Sequence, residues 1–317
     1  MWMGKNQTSV TEFVFLTFAN IPEYHVLLFV VFLLVYLILL AENISLMIVI
    51  KVDACLHTPM YFFLFNLTLL ETCYTLVIIP QMLVHLLSKK KTISFAGCAT
   101  QMFFFVGLGN AEIFLVLAMA YDRLVAVCNP LRYNTIMSKK RCITLMCAVL
   151  VAGLLLSVEE TVLVFHLPFC GSNEINHFFC DVGQVVILTS ACIDFFFLYE
   201  IVFLVSALLL FTIPFVLVLI SYMYIISAIL KIKSADGRHK AFSSCSSHLT
   251  LVILQYSCLS FMYLRPKSTF YLDKDRLFVV IYTMGTPILI PIIYSLRNKI
   301  VKDAFKKIIA KKLFLPL

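Results

Sequence analysis

The sequence contains few charged residues. Asp, Glu, Lys and Arg make up 13% of its 317 residues, about half of the roughly 25% that is usual in soluble domains. Hydrophobic residues make up 62%, which is more apolar surface than one water-soluble core can bury. This composition excludes a soluble enzyme and also the disordered, fibrous and secreted disulfide-scaffold classes. The remaining class is a protein that crosses a membrane several times.

The sequence also lacks the motifs that are typical of several other classes of protein. The sequence has no Gly-x-Ser-x-Gly, His-Glu-x-x-His or P-loop motif, so it gives no indication of catalysis. It has no internal repeat of 20–50 residues and no low-complexity linker, and we therefore expect a single domain over residues 1–317. The long alternating segments of outer-membrane barrels are absent too. Because Met1–Tyr24 has neither a basic start nor an apolar stretch, we expect it to be retained rather than cleaved as a signal peptide.

Seven apolar segments are long enough to cross a hydrocarbon core about 30 Å thick. They are His25–Ile50, Pro59–Leu87, Phe95–Val127, Cys142–His166, Phe195–Leu230, Phe242–Leu264 and Leu277–Leu296. The backbone of such segments finds no water inside the membrane, so each must be helical. We therefore predict an all-α membrane protein, a seven-transmembrane helix bundle, with residues 1–24 as an extracellular tail and 297–317 as a cytoplasmic tail.

The positions of Lys and Arg predict the orientation. With the N-terminus outside, 17 of the 25 Lys and Arg residues fall in inner segments and 8 in outer ones, which is the bias that cytoplasmic loops show. We expect a plasma-membrane protein with an extracellular N-terminus and a cytoplasmic C-terminus. The net charge of +8 then requires no nucleic-acid partner. The outer tail holds a glycosylation sequon at Asn6.

Four of the 11 cysteines fall on the outer side, where disulfides persist: Cys98, Cys170, Cys180 and Cys192. Four cysteines allow three pairings, and the sequence alone does not choose among them. A bond from Cys98 to the long loop before the fifth segment would hold that loop over the bundle. Such a bond either stabilises the fold only or also shapes a lid above a ligand.

The end of the third segment, from Met119 to Tyr133, reads MAYDRLVAVCNPLRY. Further motifs follow the expected order along the chain: PMYFFL at 59–64, KAFSSCSSHL at 240–249, FMYLRP at 261–266 and PIIYSLRN at 291–298. Together they resemble the motifs of vertebrate olfactory receptors, a family of rhodopsin-like G-protein-coupled receptors. The resemblance implies an odorant receptor without enzymatic activity or cofactor. Such a receptor binds a small, volatile, largely apolar ligand and activates a stimulatory, olfactory-type G protein to raise cAMP.

The resemblance assigns G-protein coupling or activation to Asp122, Arg123, Tyr222, Lys240, His248, Tyr256 and Tyr294. An acid beside an arginine at a membrane boundary can hold the guanidinium until a partner replaces it. In the family, the released arginine meets the C-terminal helix of the G protein.

We predict disulfides Cys98–Cys180 and, as a second candidate, Cys170–Cys192. A disulfide at Cys180 would remove a thiolate from the His177-x-x-Cys180 spacing, so we predict no metal site.

Acidic residues inside the membrane are costly and therefore indicate function. By resemblance, Glu71 and Glu112 form a polar core with Asn43, close to a pocket like the sodium site of related receptors. Alternatively, both glutamates are protonated and hydrogen-bond between helices. The sequence leaves these two interpretations open.

The implied ligand site lies in the outer half of the bundle. Helical spacing from Cys98 places Phe105, Val106, Gly109 and Asn110 on one face of the third segment. The resemblance adds Ser206, Ala207, Leu210, Leu259, Tyr263, Val280 and Thr283. Ligand sites are mostly apolar cavities with a few directed polar groups, although each of these residues could instead serve helix packing alone. Glu159 and Glu160 either favour a basic or hydroxylated ligand or lie solvated at the outer interface.

The chain departs from the family pattern at Glu42, Glu71, Leu124 and Ile290. Ile290 replaces the usual asparagine of the seventh segment and cannot hydrogen-bond to the carboxylate of the second segment.

The tail has one apolar helical face surrounded by lysines, formed by Val301, Phe305, Ile308 and Ile309. This pattern predicts a short amphipathic helix on the lipid of the inner leaflet, and a solvated tail is the alternative.

Two other functions remain as alternatives. One is a rhodopsin-like receptor for a non-odorant metabolite. The other, from a different class, is a polytopic transporter or channel, which would need a polar pathway or inverted repeats. Ligand-dependent GTP exchange distinguishes a receptor from a transporter, which would show solute flux.

Overall fold

The computed structural model describes residues 10–16, 22–169, 172–189, 201, 204–206, 208–263, 273–297 and 299–314. Within these residues, eight helices of 16 residues or more dominate. They are α1 (His25–Val52), α2 (Pro59–Leu87), α3 (Phe95–Cys128), α4 (Lys139–Phe165), α5 (Ile213–Leu230), α6 (Ala235–Tyr263), α7 (Asp273–Arg297) and α8 (Lys299–Phe314). A π-helical turn, Leu208–Thr212, precedes α5, and short helices cover Tyr133–Ile136 and Val182–Ile187.

Five helical segments in the described part of the chain are long and apolar enough to cross a membrane: His25–Val52, Pro59–Leu87, Phe95–Cys128, Lys139–Phe165 and Leu204–Leu230. Helices α6 and α7 are also long, with 29 and 25 residues, but their first turns are charged. Large apolar side chains on α1, α4 and α5, such as Leu34, Leu155 and Leu219, are exposed. An aqueous surface would not tolerate that much exposed apolar area. The fold is an all-α membrane helical bundle.

The chain groups into two compact units. The first comprises Met1–Tyr36, Cys73–Ala111 and Leu150–Leu210, and the second comprises Leu37–Thr72, Glu112–Val149 and Phe211–Leu317. Helices α1 to α4 each contribute residues to both units. The expectation of one receptor domain stays a prediction.

The first unit contains a small β-sheet that the sequence did not indicate. Strand β1 (Glu12–Phe15) pairs antiparallel with β2 (Thr92–Ser94) and parallel with β3 (Glu174–Ile175), in the order β2-β1-β3. Beyond the ladder, the side-chain amide of Asn173 donates to the Glu12 carbonyl at 2.8 Å. Part of the predicted N-terminal tail is therefore fixed to two loops of the first unit.

Strand β1 alternates between exposed and buried residues, so it has one apolar face. Phe13 is fully buried, and its ring lies 6.0 Å from the ring of Phe95 and 5.5 Å from that of Phe169. Phe15, on the same face, lies 5.2 Å from the His85 ring. These aromatic contacts hold the strand against the ends of α2 and α3.

We expect Phe13→Ala to lower the melting temperature of the purified receptor by several degrees. Truncating a buried phenylalanine to alanine costs about 3–5 kcal/mol in well-packed cores, and Phe13 fills a site between two aromatic rings. Thermal unfolding in detergent measures the effect. Glu12→Ala, at the exposed neighbouring position, is the matched control, and equal melting temperatures for the two variants would show that β1 packs loosely.

Helices α3 and α4 approach each other closely at Gly153. A Cβ atom at this position would lie 2.7 Å from the Gly107 carbonyl oxygen and 2.8 Å from the Ala111 nitrogen. One turn further along α4, the Ser157 hydroxyl donates to the Phe103 carbonyl oxygen. Only glycine at 153 allows the two backbones to come this near.

Candidate ligand-binding and coupling sites

A disulfide joins Cys98, at the start of α3, to Cys180 in the loop after α4. The backbone N–H of Cys180 donates to the Gln101 side-chain oxygen at 3.0 Å, and the Gln101 amide donates to Gln81 at 2.7 Å. The loop is thus fixed to both α2 and α3. The second candidate pair, Cys170–Cys192, and the glycosylation site Asn6 lie outside the described residues.

The fixed loop places aromatic rings beside the predicted ligand face of α3. The Phe179 ring lies 4.6 Å from the ring of Phe105, which lies 5.2 Å from that of Tyr74. Gly109 faces the same tyrosine, since a Cβ there would be 3.9 Å from the Tyr74 ring. Phe105 and its neighbour Val106 are buried. This part of the first unit offers the apolar, aromatic surroundings that are typical of a site for a small apolar ligand.

The polar residues on either side of Phe179 have structural partners of their own. His177 stacks on Phe178 with 4.5 Å between ring centroids, and Asp181 caps the helix Val182–Ile187 by accepting from the Gln184 N–H. Burial raises the pKa of the Asp181 carboxyl, against the opposing effect of its backbone hydrogen bonds. Among the residues that the structure describes, no three His, Cys, Asp or Glu side chains are grouped to hold a metal ion.

The first unit also contains a polar pair on α3 and α4. Asn110 is buried, and its side chain interacts with the carboxyl of Glu160. Glu160 is half-buried, whereas Glu159 is exposed. The side chain of Glu160 lies on the α3-facing side of α4, and both interpretations of these glutamates stay predictions.

The other predicted ligand residues are distributed over both units. In the first, Leu210 is buried and Ser206 is half-buried. In the second, Leu259, Val280 and Thr283 are buried. Ala207 and the side chain of Tyr263 lie outside the described part of the chain.

The second unit contains the predicted coupling pair at the end of α3. The Arg123 guanidinium donates to the Asp122 carboxylate at 2.6 and 3.2 Å, and both side chains are buried. The Tyr133 hydroxyl donates to the other carboxylate oxygen at 2.7 Å. Burial and the neighbouring Asp122 carboxylate raise the pKa of the Tyr133 phenol, so Tyr133 stays protonated and remains a donor. Both carboxylate oxygens of Asp122 therefore accept hydrogen bonds, one from Arg123 and the other from Tyr133.

Side chains from α6 and α7 close around this pair. A small cavity, about 10 Å³ and thus no larger than one water, is lined by Arg123, His248 and Tyr294 among others. The Tyr222 hydroxyl contacts the Nδ1 of His248 at 2.6 Å. His248 is buried and positions the Tyr222 hydroxyl in this conformation, and its predicted role near the coupling surface stays a prediction.

Two further predicted activation residues have different surroundings. Tyr256 is buried with its ring 4.8 Å from that of Phe215, which links α5 to α6. The side chain of Lys240 lies outside the described residues.

The polar core also lies in the second unit. Glu71 and Glu112 are buried and near enough to interact electrostatically. Asn43 donates to the Leu39 carbonyl at 2.9 Å and to the Pro287 carbonyl at 3.3 Å. Because Pro291 has no N–H, the Pro287 carbonyl has no helical donor, and the asparagine supplies one. Asn43 thus binds the backbone of α7 even though the buried Ile290 offers no polar side chain.

The family model for olfactory receptors matches residues 32–312 of the chain. Olfactory receptor 10Q1 of Homo sapiens is 50% identical over 97% of the chain and 96% of its own length. Olfactory receptor 10R2 of Homo sapiens is 47% identical over 98% of the chain and 92% of its own length. Olfactory receptor 5AR1 of Mus musculus is 49% identical over 97% of the chain and 98% of its own length.

The chain belongs to the olfactory receptor family.

Membership in the olfactory receptor family makes the protein a multi-pass receptor of the plasma membrane rather than an enzyme. Members of the family couple to G proteins, so a coupling site is expected in this chain. The Asp122–Arg123 pair is the predicted part of that site. Asp122, Arg123 and Tyr294 line one small cavity of the second unit, and Tyr222 contacts His248 of the same cavity. The roles of these residues in coupling stay predictions. The family motifs did not reveal the partner of Asn43, although the free carbonyl four residues before Pro291 was a usable signal.

Proposed function

We propose that this olfactory receptor binds a small, largely apolar odorant against the outer half of α3. Phe105, Val106, Gly109 and Asn110 form the α3 side of the site, with Ser206, Ala207, Leu210, Leu259, Tyr263, Val280 and Thr283 completing it. The aromatic contacts of Phe105 and the fixed loop that ends at Cys180 support this location. Dispersion and one or two hydrogen bonds supply the binding energy.

The bound odorant stabilises a conformation in which Arg123 is released from Asp122. A ligand shifts a two-state equilibrium only by its difference in affinity for the two states. In the described conformation, Arg123 is buried and paired, which fits the inactive state. Once released, Arg123 would contact a stimulatory, olfactory-type G protein, whose activation raises cAMP. The single observation that carries this proposal is the closed Arg123–Asp122–Tyr133 cluster.

The polar core affects the same equilibrium between the closed state and the state in which Arg123 is released. Two adjacent buried carboxyls cannot both stay ionised without compensation, so we infer that the Glu71–Glu112 pair holds either a proton or a small cation. Asn43, the third member of the predicted polar core, ties α1 to α7. The proposed orientation has the N-terminus outside and the coupling cluster at the cytoplasmic face.

A functional screen tests this proposal. Surface-expressed receptor is exposed to a library of volatiles, and a cAMP reporter measures the response. We expect at least one volatile to raise cAMP at wild-type receptor and not at Arg123→Ala at equal surface amounts. A receptor that ignores every volatile but responds to a non-volatile metabolite would overturn the odorant assignment, and ligand-driven solute flux would overturn the receptor assignment.

A further inference from the structure

Helices α1, α7 and α8 surround a cavity of about 420 Å³ in the second unit. Ligand pockets usually have volumes of about 300–1,000 Å³. The walls are mainly apolar and include Leu46 of α1, Pro291 of α7 and Phe305 of α8. Two charged side chains also line the cavity, Glu42 from α1 and Lys302 from α8. None of these residues belongs to the predicted odorant or coupling sites.

Glu42 brings an unsatisfied carboxyl oxygen to this cavity. Its Oε2 atom is buried and has no hydrogen-bond partner among the residues that the structure describes. From Glu42 to Val52, the last residue of α1, the helix rises about 15 Å. A carboxyl that far inside an apolar helix is costly unless a partner satisfies it. A ligand that enters the cavity with a hydrogen-bond donor would supply this partner.

Lys302 lies closer to water than Glu42 does. Its side chain is exposed, and it belongs to the amphipathic helix α8, which carries charged residues along its length and is typical of a membrane boundary. Ala41 and Ser45, which also line the cavity, are exposed on α1 beside other exposed apolar residues. The cavity therefore has a cation at the water boundary, a carboxyl deeper in the bilayer and an opening toward lipid.

This arrangement sets the order of groups along a lipid that fits the cavity. An anion must lie at the boundary, a donor just below it, and an apolar chain beyond the donor. A phosphoglyceride with two acyl chains has only ester oxygens below its phosphate, and these accept but do not donate. A sterol has a hydroxyl but no anion. A phosphorylated sphingoid base has all three groups, because an ammonium and a hydroxyl lie between its phosphate and its single chain.

We propose that the cavity between α1, α7 and α8 binds a phosphorylated sphingoid base from the surrounding membrane. The phosphate accepts from the Lys302 ammonium, and the lipid ammonium donates to Oε2 of Glu42. An ammonium beside a carboxyl favours the ionised form of that carboxyl, and hydrogen bonds between charged groups are the strong ones. The chain leaves the cavity past Ala41 and Ser45 into the bilayer. This lipid site is separate from the proposed odorant site and adds a second ligand to the receptor.

Thermal unfolding of the purified full-length receptor in detergent tests the lipid site. Sphingosine 1-phosphate is titrated, and the rise in melting temperature gives its apparent affinity. Three comparison lipids each lack one feature: lysophosphatidate has a hydroxyl instead of the ammonium, sphingosine has no phosphate, and dioleoyl phosphatidate has no donor below its phosphate. We expect sphingosine 1-phosphate to raise the melting temperature by several degrees and to bind about tenfold or more tightly than each comparison lipid.

Matched variants assign the two contacts. Glu42→Gln should lose the preference for sphingosine 1-phosphate over lysophosphatidate, because the carboxylate that pairs with the ammonium is gone. Lys302→Gln should lose the preference over sphingosine, which lacks the phosphate. Lys306→Gln removes the same charge from an exposed position on α8, and Glu159→Gln makes the same change at an exposed position on α4. Both controls should keep the wild-type preferences.

Three results would overturn the lipid site. The first is equal stabilisation by dioleoyl phosphatidate, which would indicate a general lipid effect. The second is a wild-type set of preferences in Glu42→Gln and Lys302→Gln. The third is an equal loss of affinity in Lys302→Gln and Lys306→Gln, which would mean that the phosphate binds the overall charge of α8. The odorant screen with the cAMP reporter is unaffected by any of these results, so the two proposals fail separately.

Discussion

Gly153→Ala should reduce the amount of receptor at the cell surface several-fold, and Gly153→Val should abolish it. The added Cβ would lie 2.7 Å from a backbone oxygen and 2.8 Å from a backbone nitrogen of α3. Backbone atoms cannot rotate away as a side chain can, so the two helices must separate. Overpacking costs typically about 1–3 kcal/mol, a large fraction of the stability of a folded protein. Surface staining of an N-terminal tag, together with total protein, measures the effect.

Gly285→Ala provides the matched control for this prediction. It makes the same chemical change inside helix α7, where nothing lies within 4 Å of the added Cβ. Alanine also has the higher helix propensity, so the surface amount should match or exceed wild type. If both alanine variants behave alike, the close approach of α3 and α4 does not limit folding.

Asp122→Asn should raise ligand-independent cAMP production at least threefold. The Asp122 carboxylate receives two hydrogen bonds from Arg123 and one from Tyr133. Neutralising it weakens charge-assisted bonds that contribute about 1.5–3 kcal/mol each, and the closed state loses this contribution while the released state does not. A cAMP reporter without added ligand, normalised to surface amount, measures the change.

Two further variants test whether the rise in basal cAMP in Asp122→Asn comes from the release of Arg123. Tyr133→Phe removes one hydrogen bond but leaves the ion pair, so its basal cAMP should rise less than that of Asp122→Asn. The double variant Asp122→Asn/Arg123→Ala should lose the increase, because we propose that the released arginine is the group that contacts the G protein. Basal cAMP at the wild-type level in Asp122→Asn would mean that the pair does not hold the receptor closed.

The helices could be located from the sequence because an apolar run of about 20 residues is a strong local signal. The segment Pro59–Leu87 and helix α2 have the same bounds. Helix α6 begins at Ala235, seven residues before the apolar segment that predicted it. Apolarity marks the part of a helix that lies in lipid, whereas the helix itself continues into polar sequence.

Those parts of the sites that depend on contacts between residues far apart in the chain could not be predicted from the sequence. Asp122 and Arg123 are adjacent, so their pairing could be predicted. Asn43 and the Pro287 carbonyl are 244 residues apart, and no local pattern joins them. Strands of two to four residues are too short for an alternating pattern to be recognised, and the sheet was missed for this reason.

The proposed ligand and coupling sites depend most on the direction in which the chain crosses the membrane. Different epitope tags on the two ends of the full chain, stained before and after permeabilisation of living cells, test it directly. We expect the N-terminal tag to be accessible on intact cells and the C-terminal tag only after permeabilisation. If both tags are accessible from the same side, the number of crossings is even, which contradicts the seven-helix topology and the receptor assignment that depends on it.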